Sequence, residues 1–153
     1  MKRRAQWVLV LYICFVFIQS LFFKFTGSEE TVIIFSTIAD WMRGIGPLEV
    51  IAPLFEQYGG IAVGSTELVA CILLIIFATR FWGALLALGV MSGAIFFHLF
   101  TPLGVNRVVN AAGETDGGVL FYMACGVWVC SLILAFMNNP WRKKQMAYGQ
   151  EAY

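Results

Sequence analysis

The sequence predicts an all-α integral membrane protein: a four-helix bundle with an extra amphipathic helix between its first and second spans. Three observations predict it. Of the 153 residues, 60% are hydrophobic and 12% charged, with a mean hydropathy of +0.81. Soluble domains carry about 45–50% apolar and about 25% charged residues, and half the usual charge cannot cover a water-facing surface. The apolar residues gather into runs of about 20, enough to cross roughly 30 Å of hydrocarbon at about 1.5 Å per residue. Eight of the ten Lys and Arg cluster at the ends of those runs. The length suits one domain over residues 1–153, and a net charge of +1 leaves no nucleic-acid footprint.

The first span is expected at residues 6–25, behind Lys2, Arg3 and Arg4. It is longer than a signal-peptide core and ends in Phe-Lys-Phe-Thr-Gly, without a small-residue cleavage site, so a retained helix is expected. Residues 28–44 read as an amphipathic helix. Ser28 is a suitable N-cap, and Glu29 and Glu30 sit where the helix dipole favours acids. Ile34, Phe35, Ile38, Ala39, Trp41 and Met42 share one wide face, and Ser36, Thr37, Asp40 and Arg43 share the other. This helix is too polar to span and is expected at the interface or capping the bundle. Residues 46–58, with Pro47 and Pro53, read as an irregular connection with at most a short turn.

From 59 to 100 the chain is apolar almost throughout, too long for one span. Thr79-Arg80 divides it into spans at 59–79 and 81–100, joined as a tight antiparallel hairpin, and Pro102 stops the second. A polar loop, 101–118, leads into the last span at 118–137, with Asp116 placed to cap it. Gly60-x-x-x-Gly64 and Gly89-x-x-x-Gly93 put small residues on single helix faces, which suits close packing within the bundle.

Charge asymmetry sets the expected orientation. Lys2, Arg3, Arg4, Arg80, Arg142, Lys143 and Lys144 fall on one side, and Lys24, Arg43 and Arg107 on the other. The positive-inside rule then puts both termini and the hairpin turn in the cytoplasm, in a plasma (inner) membrane, with the amphipathic helix and the Arg107 loop outside.

Ionisable residues inside a span cost about 2.5–3.5 kcal/mol at the centre on insertion scales, so they turn inward, find partners and mark function. Glu67 stands out, flanked by apolar residues in the second membrane span; starting that span at 59 puts it about 12 Å below the outer end. A carboxylate there needs a cation or a proton. Gly60, Gly64 and Cys71 share its face. His98, the only histidine, lies near the outer end of the third span on a lean stripe with Ala87, Met91 and Ala94. Lys24 ends the first span, one turn above Ser20. It can snorkel to the interface or, reaching inward, partner an anion. Asp116 is a fourth candidate at the outer end. A cation, a carboxylate and an imidazole around an apolar pocket suit a quinone head group, with His98 and Lys24 on the carbonyls and Glu67 exchanging the proton. They equally suit a small anion or a proton relay.

Cys14, Cys71, Cys125 and Cys130 lie within apolar runs without metal or redox spacing and read as small buried hydrophobes. No metal site is expected. The chain has no P-loop, dinucleotide fingerprint, H-E-x-x-H or nucleophile elbow, which argues against a self-sufficient hydrolase or ATP-driven pump.

Three short stretches, in this order and spacing, resemble the DoxX family: Phe22-Phe23-Lys24-Phe25 closing the first span, Gly64-Ser65-Thr66-Glu67-Leu68 inside the second, and the small-residue run from Gly83 to Met91 leading to His98. The resemblance covers roughly residues 6–137. It implies a four-helix membrane bundle and links to respiratory or sulfur redox chemistry: thiosulfate–quinone oxidoreductase subunits, and complexes with superoxide dismutase and a sulfurtransferase. The outer segments 28–58 and 107–116 are longer than in the simplest members, where partners would dock.

The leading expectation is therefore a DoxX-like subunit associated with a quinone-linked oxidoreductase, binding quinone or a similar small ligand in an outer-leaflet pocket. One alternative is a non-enzymatic anchor or assembly factor for a membrane or extracytoplasmic protein partner. Another is a proton-coupled or small-anion carrier using Glu67. Beyond the lipid bilayer, a homo-oligomer is compatible with the chain. The orientation is testable by labelling in a cysteine-free background. A cysteine at Ala112 should react with an impermeant maleimide on intact cells, and one at Ala78 only after permeabilisation.

Overall fold

The computed structural model describes residues 2–141, with side chains from residue 4 onward. Arg142, Lys143 and Lys144 lie outside the described residues, as do the side chains of Lys2 and Arg3. The described residues form five α-helices: α1 (Lys2–Thr26), α2 (Glu29–Arg43), α3 (Ala52–Ile75), α4 (Arg80–Phe100) and α5 (Val119–Asn138), with a single 3-10 turn at Gly46–Leu48. There is no strand among them, only an isolated bridge between Val108 and Thr115. Four helices, α1, α3, α4 and α5, are long and apolar enough to cross a membrane, and the chain is a multi-pass membrane protein.

The four spans alternate in direction and close into a ring: α1 against α3, α3 against α4, α4 against α5, and α5 back against α1. Val10, Ile13, Phe17, Leu74, Ala87 and Val127 meet in the middle. The faces turned away are also apolar: Leu11, Phe15, Ile18 and Phe22 form an exposed stripe along α1. A helix that is hydrophobic all round needs a hydrocarbon solvent on its outer face.

Ser28 accepts the Thr31 amide at 3.3 Å and caps α2, as expected. The buried face of α2 is Thr31, Phe35, Ile38, Ala39 and Met42, with Ile34 and Trp41 packed against the same cluster. It lies on α3, where Gly59 and Gly60 leave room for the Phe35 ring: a Cβ on Gly59 would sit 2.5 Å from Phe35 Cδ1. Phe55 then stacks between Phe35 and Phe97, with ring centroids 5.3 and 5.8 Å away.

The second span differs from the expected 59–79. It begins at Ala52 and ends at Ile75. Pro53, read as a breaker, falls in the first turn, where its missing N–H and fixed φ favour a helix start. Arg43 pairs with Glu56 and Asp40, tying this extra turn to α2. At the other end, Thr79 Oγ1 donates to the Leu73 carbonyl (3.0 Å) and Arg80 Nε to the Leu74 carbonyl (2.8 Å), so side chains satisfy the terminal carbonyls and the turn comes early. The other spans fall where expected apart from extra residues at their ends, chiefly α1, which starts at Lys2.

The two glycine pairs behave differently. Gly60 and Gly64 face Thr31, Leu21 and Phe25 at contact distance, whereas Gly89 and Gly93 face open space. The tightest approach is Gly83, where a Cβ would meet Leu74 N at 2.7 Å and Leu73 C at 2.9 Å, both backbone. Gly83→Ala should therefore destabilise by about 1–3 kcal/mol as the α3–α4 hairpin is forced apart. Gly93→Ala should be neutral or mildly favourable; thermal unfolding of the two variants in detergent checks the contrast.

Candidate functional site

Ser20 and Lys24 are four residues apart on α1 and so lie one above the other on the face turned to α3. The small residues of α3 allow that face to come close: Leu21 and Phe25 pack on Gly64, and the Lys24 carbonyl lies 3.7 Å from where a Gly60 Cβ would be. Glu67 follows one turn further along α3, at the level of Ser20. Because α3 starts at Ala52, Glu67 is about 22 Å from its first residue at about 1.5 Å per residue, deeper along the helix than a start at 59 implies.

Lys24 reaches down to meet it. Lys24 Nζ lies 2.6 Å from Oε1 and 2.6 Å from Oε2 of Glu67, a bidentate ion pair. Ser20 Oγ donates to Oε2 at 2.8 Å and accepts from Nζ at 3.2 Å. The Glu67 side chain is 2% exposed and that of Lys24 17%. Of the two readings for Lys24, snorkelling or inward pairing, the structure has the second.

His98 sits one turn from the end of α4 on the stripe shared with Met91 and Ala94. Its Nδ1 lies 2.6 Å from the Gly104 carbonyl, brought back over the helix end by the loop after Pro102. A carbonyl only accepts, so Nδ1 carries the proton, and in the neutral ring Nε2 is an acceptor. His98 therefore does not donate to a ligand carbonyl while neutral, which corrects the role expected for it. The Phe121 ring packs edge-on against the imidazole at 5.6 Å.

These side chains share one chamber. A cavity of about 140 Å³ is lined by Lys24, Ser20, Glu67 and His98, with Phe17, Ile38, Met91 and Phe97 among its apolar walls. Asp116 is not part of it. Its carboxylate accepts the Gly118 amide (2.9 Å) and the Leu120 amide (3.2 Å), capping α5 as expected, and lies 3.4 Å from Arg107 Nε. It lines instead an adjoining cavity of about 240 Å³ that also touches Lys24, Ser20, Glu30 and Arg107.

Arg107 marked only the side of the membrane in the sequence, yet it is 3% exposed. It pairs with Glu30 of α2 and lies against Asp116. Nearby, Glu29 accepts the Ala111 amide at 2.7 Å. The two acids of the α2 first turn thus hold the 101–118 loop across the bundle end. The signal in the sequence was opposite charge on two segments outside the spans, which does not say that they meet. Nor did it say that Cys14 and Cys71, on facing helices, lie together in the core. Among the described residues, no group of His, Cys, Asp and Glu could hold a metal.

No family model matches the chain, and neither a curated protein nor a solved structure is significantly similar to it.

The ion pair predicts an asymmetric response. Removing one partner of a buried pair strands the other, at about 3–5 kcal/mol. Lys24→Met strands Glu67, whose side chain is 2% exposed, and should approach about 3 kcal/mol. Glu67→Gln frees Lys24 to swing toward the helix end and should cost less, about 1–2 kcal/mol. The double variant should be more stable than Lys24→Met alone, as read by melting temperature in detergent.

Proposed function

We propose that the chain is a DoxX-like, redox-associated membrane subunit that binds a quinone, or a small ligand of like chemistry, in the chamber around Glu67. One observation carries this reading: a buried ion pair, a hydroxyl and an acceptor imidazole, drawn from three helices, converge on a single apolar cavity. A structural ion pair alone needs no chamber beside it, whereas ligand sites are apolar cavities with a few convergent polar groups.

The residues fit such a head group. Lys24 supplies the donors for a ring carbonyl, and Ser20 and Thr31 bring hydroxyls to the same cavity. His98 Nε2 supplies the acceptor for a ring hydroxyl of the reduced form. A quinone contributes reversible two-electron, two-proton chemistry when bound. The protein's part would be to take up the protons: His98 would accept one at Nε2, and the Glu67 carboxylate would accept the other as its bonds to Lys24 and Ser20 are given up. Apolar walls from Phe17, Met91 and Phe97 keep bulk water away.

The orientation we favour puts the α2 end outside the plasma (inner) membrane, with both termini in the cytoplasm. The chamber then lies in the outer half of the bilayer. A second reading is favoured by a different observation. Glu30, Arg107, Glu29 and Ala111 lock α2 and the 101–118 loop into one platform at that end. Such a platform suits an anchor for an extracytoplasmic protein partner. The carrier reading has no comparable observation among the described residues.

Glu67→Gln and His98→Ala should each lower the affinity for a benzoquinone probe by about tenfold or more while the protein stays folded. Equilibrium binding to the purified protein in vesicles measures this, and unchanged affinity in both variants sinks the ligand-site reading.

A further inference from the structure

The chamber and the adjoining cavity have six lining residues in common: Val16, Ser20, Lys24, Thr31, Ile34 and Leu120. The two adjoin across this shared lining, with Lys24 on the wall between them. Each alone, at about 140 and 240 Å³, is smaller than the roughly 300 Å³ at which sites for drug-sized ligands begin. Together they come into that range. The second compartment is also differently placed. It is bounded by Gln19 and Phe23 of α1 and by Val119 and Met123 of α5, and Gln19, Phe23 and Val119 are exposed on the bundle surface.

The α1–α5 seam explains why it opens there. Lower down, Gly126 lets the Tyr12 ring press onto α5, occupying the space a Cβ would fill, so the two helices are closed at that level. One to two turns nearer the α2 end no glycine lies at the seam. Gln19 and Phe23 stand opposite Met123 and Val119, and the helices leave a gap lined by apolar side chains. Above the gap, Arg107 forms a roof with Glu30 and Asp116. Arg107 is nine-tenths buried, yet its Nη1 has no hydrogen-bond partner among the described residues. A buried donor left unpaired costs about 1–3 kcal/mol. Arg107 lines the compartment together with Glu30 and Asp116, which offset its charge. A charge offset in this way suits a neutral ligand better than an anion.

From this the geometry points to a lateral portal between α1 and α5, through which a neutral ligand with an apolar tail enters from the bilayer. Its head lodges between Lys24, Glu67 and His98, and its tail leaves through the seam at Phe23 and Met123. This rests on the quinone-type reading of the chamber and narrows it to tailed, membrane-dissolved members of that class. Members without a tail need only the head site and leave the seam empty.

The test uses the full chain in phosphatidylcholine–phosphatidylglycerol vesicles. The probe is a decyl-tailed benzoquinone with a diazirine on the tail close to the ring, photolysed and mapped by mass spectrometry. Adducts at Gln19, Phe23, Val119 or Met123 that excess decyl-tailed benzoquinone competes away are the expected result. Met123→Trp, which fills the seam, should lower the competed labelling by about tenfold. Met123→Ala, which widens it and keeps the core intact, should leave labelling equal or higher. Affinity for tail-less benzoquinone should be the same in all three proteins. Competed adducts on α3 or α4 instead would overturn the portal while leaving the head site standing. Labelling that no excess of quinone competes would overturn both.

Discussion

A carboxylate cannot sit unaccompanied in hydrocarbon, and much of this bundle is arranged around that constraint at Glu67. The acid lies in α3 with its side chain almost wholly enclosed. Its cation comes from a residue near the end of α1, so α1 must pass close enough for Lys24 to reach down about a turn. Gly60 and Gly64 permit the approach, and Leu21 and Phe25 fill the space the absent side chains leave. Ser20 then takes up a carboxylate lone pair that a lysine alone leaves open. Sequence, packing and electrostatics agree here because each small or polar residue serves the same contact.

The parts of this that were legible in the sequence are those governed by local rules. Span number followed from apolar length. The N-cap of α2, its buried face and the capping by Asp116 followed from helix chemistry. Glu67, His98 and Lys24 were legible as a set because ionisable groups in lipid must turn inward, and the structure brings all three to one cavity. The two Gly-x-x-x-Gly pairs looked alike in sequence, yet only the first is packed. Which face of a helix meets a neighbour depends on rotation about its axis, and a spacing does not carry that.

What stayed hidden depends on pairings between distant segments. Residues 52–58 looked irregular because of Pro53. Their helicity comes from position in the first turn and from Arg43, Phe35 and Phe97, which are remote in sequence. Arg107 looked like a loop charge and is a buried hub, because Glu30 and Asp116 approach it from two different elements. The tautomer of His98 turns on a single carbonyl six residues away, brought back by the bend after Pro102. That bond changes its chemical role from donor to acceptor.

The two ends of the bundle handle buried cations in opposite ways, and this argues for where chemistry resides. Arg80 is 1% exposed, and no carboxylate pairs with it among the described residues. It is held by the Leu74 carbonyl, by Gln6, and by the faces of Trp7 and Phe77 at 4.6 and 5.2 Å. Carbonyls and ring faces are fixed partners that neither give nor take a proton, and they pack tightly; neither of the two cavities described reaches Arg80. At the α2 end each cation faces acids instead, Lys24 on Glu67 and Arg107 on Glu30 and Asp116, with open space beside them. A cation sealed against carbonyls and rings fixes the α3–α4 turn in place. Cations beside carboxylates, next to a cavity and an acceptor imidazole, form a set whose hydrogen bonds can be exchanged for those of a ligand. The asymmetry is the physical ground for reading the Arg80 cation as structural and for placing the proposed site at the α2 end.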